Sequence, residues 1–171
     1  MKGLIIYKSK YGSTKKYAKW ISEKFNFDCI SPKHFHKIDI KKYDTIILGS
    51  LVYRGKLKIR DFLVNNWAKV KDKEVLLYAV GAAKPSSKAF EKFYFSNIPK
   101  HIRNKITFFP LRGKFNFKQL TIFDKIQTLI RLIRMKPSKT KREIKNGFND
   151  VCKENLFPLF YYIKCLKEGK C

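Results

Sequence analysis

Short apolar runs along this chain are separated by stretches in which apolar residues recur every three to four positions, so the pattern predicts strands alternating with amphipathic helices. The first run, Gly3-Leu4-Ile5-Ile6-Tyr7, is followed by a helix with Tyr17, Ala18, Trp20, Ile21 and Phe25 on one face and Lys15, Lys16, Lys19 and Lys24 among its polar positions. A weaker strand surrounds Cys29 and Ile30, and a polar connection through Pro32 and Ile38-Asp39-Ile40 follows. Thr45-Ile46-Ile47-Leu48-Gly49 is apolar on both faces, as central parallel strands are. Lys58 to Trp67 reads as the next helix, with Ile59, Phe62 and Leu63 inward, and Val75 to Val80 as a third buried strand. A helix from about Ser87 to Phe95 precedes the last strand, Lys105 to Leu111, which places Pro110 at its end.

The last third departs from simple alternation. Leu111 to Lys118 is a connection rich in Arg, Gly, Lys and Phe, and Ile122 to Met135 is a basic amphipathic helix with Ile122, Ile126, Leu129, Ile130 and Ile133 on one face. Pro137 to Lys145 reads as a basic linker. Leu156 to Lys167 is the closing helix, with Asn155 as cap and Pro158 in the first turn, where a missing N–H does no harm. The expected architecture is one α/β domain over residues 1–171, a doubly wound five-stranded parallel sheet of order 2-1-3-4-5, with residues 112–145 as a basic insertion after the last strand.

In such a sheet, ligands gather at the carboxyl ends of the strands, where the strand order reverses. The first strand there gives way to Ser9-Lys10-Tyr11-Gly12-Ser13-Thr14, a hydroxyl-rich turn at a helix N-terminus. Unpaired amides, the helix macrodipole and the hydroxyls of Ser9, Ser13 and Thr14 favour a phosphate monoester, and Gly12 allows a tight turn or a close approach. The competing explanation is a plain cap by Ser13 or Thr14. No Walker lysine and no G-x-G-x-x-G is present. Two more loops follow strands: Ser50-Leu51-Val52-Tyr53-Arg54-Gly55, with Tyr53 as a candidate stacking residue, and Gly81-Ala82-Ala83-Lys84, small enough to approach a flat ligand. Together they suit a phosphorylated flat ring, and FMN fits that description.

Charge widens the list of partners. The chain has 39 Lys and Arg against 13 Asp and Glu, a formal net charge of +26. Its field attracts anionic small molecules, acidic proteins or lipid headgroups, although a lysine excess spread this evenly also fits a habit of overall composition. Nucleic acid is not expected, because no zinc-finger spacing, helix-turn-helix pattern or ribonucleoprotein motif accompanies the charge. Cys29, Cys152, Cys165 and Cys171 form no C-x-x-C pair, and no signal peptide or prenylation box is recognisable, so reduced cytosolic thiols are expected. His34, His36 and His101 lack partners at ligand spacing, and no metal site is expected. No apolar run approaches the about 20 residues of a transmembrane helix, so a soluble or peripheral protein is expected.

The hydroxyl-x-x-Gly-x-Thr pattern of Ser9 to Thr14 resembles the FMN phosphate loop of flavodoxins. Nearly the whole chain is similar to that family. The stretches Gly49 to Gly55, Ala82-Ala83-Lys84-Pro85, and Leu111-Arg112-Gly113 with the Phe-rich segment and the Ile122 to Met135 helix most resemble its quinone-dependent protoporphyrinogen oxidases (dehydrogenases) of heme biosynthesis. This chain departs from ordinary flavodoxin carriers in being basic and in lacking an aromatic residue in the third loop. The resemblance implies FMN as cofactor and a porphyrinogen or quinone substrate, with Arg112, Lys114 and Arg131 as candidates to meet an anionic substrate; no acid or base is assignable. A one-electron carrier docking on redox proteins and a non-catalytic FMN-binding module are the alternatives. The basic helix either lies on an anionic membrane surface, where a quinone is available, or covers the sheet or the flavin edge with its apolar face.

Overall fold

The computed structural model describes residues 1–85 and 87–170, so Cys171 lies outside the described residues. Five parallel strands form the centre: β1 (Gly3–Lys8), β2 (Asp28–Ile30), β3 (Thr45–Tyr53), β5 (Glu74–Gly81) and β6 (Ile106–Arg112), in the order β2-β1-β3-β5-β6. Counted over the parallel strands this is 2-1-3-4-5, the expected doubly wound arrangement. The hairpin strand β4 (Lys56–Leu57) pairs antiparallel with the end of β3. Helices α1 (Ser13–Phe25), α2 (Arg60–Val70), α3 (Lys88–Asn97) and the short α4 (Lys100–Arg103) connect the strands, and α7 (Phe157–Glu168) closes the chain.

The period of two along each central strand divides the core in two. Leu4, Ile6, Ile46, Leu48, Val75 and Leu77 face the side covered by α2 and α3, where Leu63 and Phe90 meet them. Ile5, Ile47, Leu76 and Tyr78 face the other side, against Tyr17 and Ile21 of α1 and Leu159 and Ile163 of α7. Each of these sixteen side chains is fully or almost fully withdrawn from water, a gain of about 1.5–3 kcal/mol for each aliphatic one.

Several boundaries differ from the sequence expectation. Ser50 to Tyr53 continue β3, and the chain reverses through Arg54 (φ 53°) and Gly55 (φ 73°), both left-handed as a two-residue hairpin turn prefers. Pro110 lies within β6, opposite Ala79, and not at its end. The strand is the sheet's edge, where a residue without an N–H is tolerated. The expected linker 137–145 contains α6 (Lys139–Asn146), because the Ser138 side chain caps it by accepting from the Lys141 amide, and Ile144 anchors it at 4% exposure. Asn155 does not cap α7; its amide donates to the Tyr17 hydroxyl and the Asp150 carbonyl.

The insertion leaves β6 and returns through one small device. β7 (Lys114–Phe115) and β8 (Phe148–Asn149) form an antiparallel ribbon with Lys114 opposite Asn149 and Phe115 opposite Phe148. Between them lie α5 (Ile122–Arg134) and α6. Tyr17 of α1, fully buried, donates to the Arg112 carbonyl at 2.7 Å and so fixes the root of the insertion to the sheet. Among the described residues, no helix is long and apolar enough to cross a membrane.

Candidate functional site

The turn after β1 starts α1 without a side-chain cap. Gly12 occupies the cap position of α1 with φ 89°, and no side chain caps the first turn. A residue with a Cβ is strained there by about 1–2 kcal/mol, although the space around it is open. The Ser9 hydroxyl is buried without a hydrogen-bond partner, and an orphaned donor of this kind implies an acceptor from outside the protein. Ser13 Oγ accepts from the Lys114 amide at 3.3 Å, which ties the cradle to the start of the insertion. Behind the turn, the buried Tyr78 hydroxyl donates to the Thr14 carbonyl at 3.0 Å. That reach across β3 exists because position 49 is glycine; a Cβ there would lie 2.2 Å from the tyrosine oxygen.

These groups open onto a cleft of about 600 Å³. Of the expected residues, Ser9, Lys10, Tyr11, Ser13 and Thr14 line it, as do Leu51, Val52, Tyr53, Arg54 and Gly55 of the hairpin, Gly81 and Ala82 after β5, and Lys114 and Arg131 of the insertion. The remaining expected residues stand off its wall. Gly12 shapes the turn, and Ser50 is fully buried, donating to the Leu51 carbonyl and accepting from the Ile59 amide. Ala83 packs against the α2/α3 side of the core, and Lys84 is exposed.

Arg112 belongs to the frame of the insertion. Its guanidinium bonds Glu143 at 2.6 Å, lies 2.8 Å from Asp150 through Nε without a directed hydrogen bond, and sits 4.7 Å over the Phe148 ring. At 11% side-chain exposure it joins α6, β8 and β6 and is not among the residues that line the cleft.

The roof of the cleft is α5, and it presents the opposite face from the one its apolar stripe suggests. Asp124, Gln127, Thr128 and Arg131 line the cleft, while Ile122, Ile126, Leu129 and Ile133 are exposed. The reason is Asp124. Its carboxylate, 5% exposed, accepts from Lys10 Nζ at 2.5 Å and from the hydroxyls of Tyr11 and Tyr53, with Arg54 at 3.8 Å. One acid thus gathers two residues of the cradle and two of the hairpin, and α5 must turn its polar side inward to deliver it. Asp124 was not among the residues expected from the sequence. Two signals mark it: it is the sole acidic residue between Glu91 and Glu143, and Thr121-x-x-Asp124 is a capping pair in which the Thr121 hydroxyl accepts from the Asp124 amide.

Burial alone would raise the Asp124 carboxyl. The hydrogen bonds from Lys10, Tyr11 and Tyr53, with the Lys10 charge, outweigh it and hold the acid well below the usual carboxylate range. Lys10 is in turn held above its ordinary value, chiefly by Asp124. A carboxyl depressed in the folded state adds stability that is complete above its unfolded value near about 4 and lost as pH falls toward the folded one. The unfolding temperature should therefore fall steadily below about pH 4, and Asp124→Asn should flatten that part of the profile. Parallel profiles for the two proteins would show that Asp124 does not carry the acid sensitivity.

Comparison with known proteins bears on the chain as a whole. A flavodoxin domain model matches residues 4–145. No curated protein matches the chain. Among solved structures, the NAD(P)H:quinone oxidoreductase from Methanothermobacter marburgensis is 10% identical, covering 85% of this chain and 95% of its own, with a TM-score of 0.47. A flavoprotein in complex with FMN from Lactobacillus acidophilus NCFM is 20% identical over 65% of this chain and 91% of its own, with a TM-score of 0.45. The Trp repressor binding protein from Bacillus subtilis is 16% identical over 68% and 85%, also at 0.45.

Proposed function

The chain belongs to the flavodoxin domain family, and from that premise we propose that it is an FMN-dependent oxidoreductase that takes electrons from an anionic, flat small molecule of the porphyrinogen type and passes them to a quinone. The observation that carries the reading is the roof. A one-electron carrier needs an open edge at which a partner protein docks, whereas here α5 lies across the cleft and is locked to both floor loops through Asp124. A roofed cleft of about 600 Å³ suits a cofactor with a small substrate.

The cradle fits the cofactor on the strength of the unpartnered Ser9 hydroxyl and the uncapped α1 N-terminus. Ser9, Ser13 and Thr14 with the neighbouring amides would hold the phosphate, Tyr53 would flank the ring system, and Gly81 and Ala82 would allow its close approach; all of these line the cleft. Bound there, FMN supplies the two-electron exchange with the substrate, so no protein nucleophile is required. Beneath α5 the Asp124 carboxylate is withdrawn from water, which strengthens its interactions with Lys10, Tyr11 and Tyr53. Lys114 and Arg131 stand on the cleft wall, where they orient a substrate carboxylate; Arg112, paired with Glu143 and Asp150, does not take that role.

The test is a visible spectrum of the FMN-loaded protein followed by quinone-linked turnover of protoporphyrinogen. Arg131→Gln should raise KM for the anionic substrate by about tenfold with FMN content unchanged, since a hydrogen bond to a charged group contributes about 1.5–3 kcal/mol. Single-electron shuttling to a reductase with no turnover of any quinone pair would return the protein to the carriers.

A further inference from the structure

Helix α5 exposes Ile122 (78%), Phe123 (56%), Ile126 (50%), Leu129 (50%), Ile130 (37%) and Ile133 (81%) to solvent. At 100° per residue these six fall on one continuous arc, opposite Asp124, Thr128 and Arg131. A contiguous apolar strip along a helix of about 20 Å is more than isolated surface residues provide, and it marks a contact surface. The helix cannot hide the strip by rolling over. Asp124 on its other side is held by Lys10, Tyr11 and Tyr53, so the polar face is committed to the cleft.

Charge decides what covers the strip. Lys125 and Arg134 lie on its two flanks, and residues 112–145 carry eleven Lys and Arg against Asp124 and Glu143 alone. Both acids are already neutralised, by Lys10 and Arg112 respectively. A second copy of a chain at +26 would set two such basic regions against each other, whereas an anionic bilayer offers an apolar interior and countercharge together.

We propose that α5 seats flat on an anionic lipid surface, with the isoleucine arc in the acyl boundary and the flanking cations among the headgroups. The cleft then lies directly behind the membrane-seated helix. This inference does not depend on the flavin chemistry, and its readout is independent of turnover.

The experiment uses the full FMN-loaded chain, sedimented with vesicles of phosphatidylcholine plus phosphatidylglycerol and with vesicles of phosphatidylcholine alone, at low and high salt. Wild type should bind the anionic vesicles at low salt. The double variant Ile126→Glu with Ile133→Glu should lose at least about tenfold in partitioning while its unfolding temperature is unchanged, since both side chains already face water. Lys125→Glu with Arg134→Glu should lose binding to anionic vesicles specifically. Absence of binding at low salt overturns the proposal, as does equal binding by the isoleucine variant, which would assign the attraction to charge alone. A lipid-free dimer abolished by Ile126→Glu with Ile133→Glu, in a protein that ignores vesicles, would show that a second copy covers the strip and overturn it as well.

Discussion

Replacing Ser9 and Thr14 together by alanine is expected to weaken FMN binding by about 100-fold or more and to leave riboflavin binding within about threefold of wild type. Ser9 Oγ is buried and without a partner, and Thr14, at 1% exposure, lines the same cradle in the first turn of α1. With Ser13, these hydroxyls are the donors the turn offers a phosphate. A hydrogen bond to a charged group contributes about 1.5–3 kcal/mol, and two lost bonds therefore exceed a hundredfold. Riboflavin lacks the phosphate and should not register the change. Titration of the apoprotein with both ligands measures the contrast, and parallel losses for the two would remove the phosphate from this turn.

Truncating Asp124 to alanine should lower stability by about 2–3 kcal/mol and detach the roof. The carboxylate is the common acceptor of Lys10, Tyr11 and Tyr53, and its removal leaves the two hydroxyls without their acceptor and Lys10 with the 3.4 Å bond to the Tyr53 oxygen. Because Lys10 keeps 36% side-chain exposure, it recovers some hydration, which holds the loss below that of a fully buried pair. The unfolding temperature should fall by about 5–10 °C, and trypsin should begin to cut at the basic residues of α5 and α6 in the folded protein. Cofactor content should persist, because the phosphate donors are untouched. Unchanged tryptic resistance would mean that packing alone holds α5 in place.

Sequence pattern was a sound guide where one physical cause acted alone. Ile5, Ile47 and Leu76 sit in runs apolar on both faces, and such runs become central parallel strands because helices cover both sides. The turn into α1 was legible for a similar reason, since Gly12 and the hydroxyls around it lie within a few residues of each other. The roof was not. The isoleucine stripe of α5 invites burial, yet a single carboxylate pairing across more than 100 residues of sequence with Lys10 and Tyr11 overrides it. Arg112 illustrates the same limit. Its position after the last strand points to the ligand edge, but Glu143 and Asp150 arrive from the far end of the insertion and claim its guanidinium. Periodicity reports the chemistry of a face; long-range ion pairs decide which way it turns.

The β7–β8 ribbon gives the insertion the character of a detachable cassette. Because Lys114 and Asn149 are cross-strand partners, the chain departs and returns at one point, and the length in between imposes no change of register on the parallel strands. Loop-closure entropy grows only with the logarithm of length, so a longer or shorter segment here would cost the core little. The protein is in that sense two parts joined at one point: a sheet whose register is set without the insertion, and a roof whose length the sheet does not constrain.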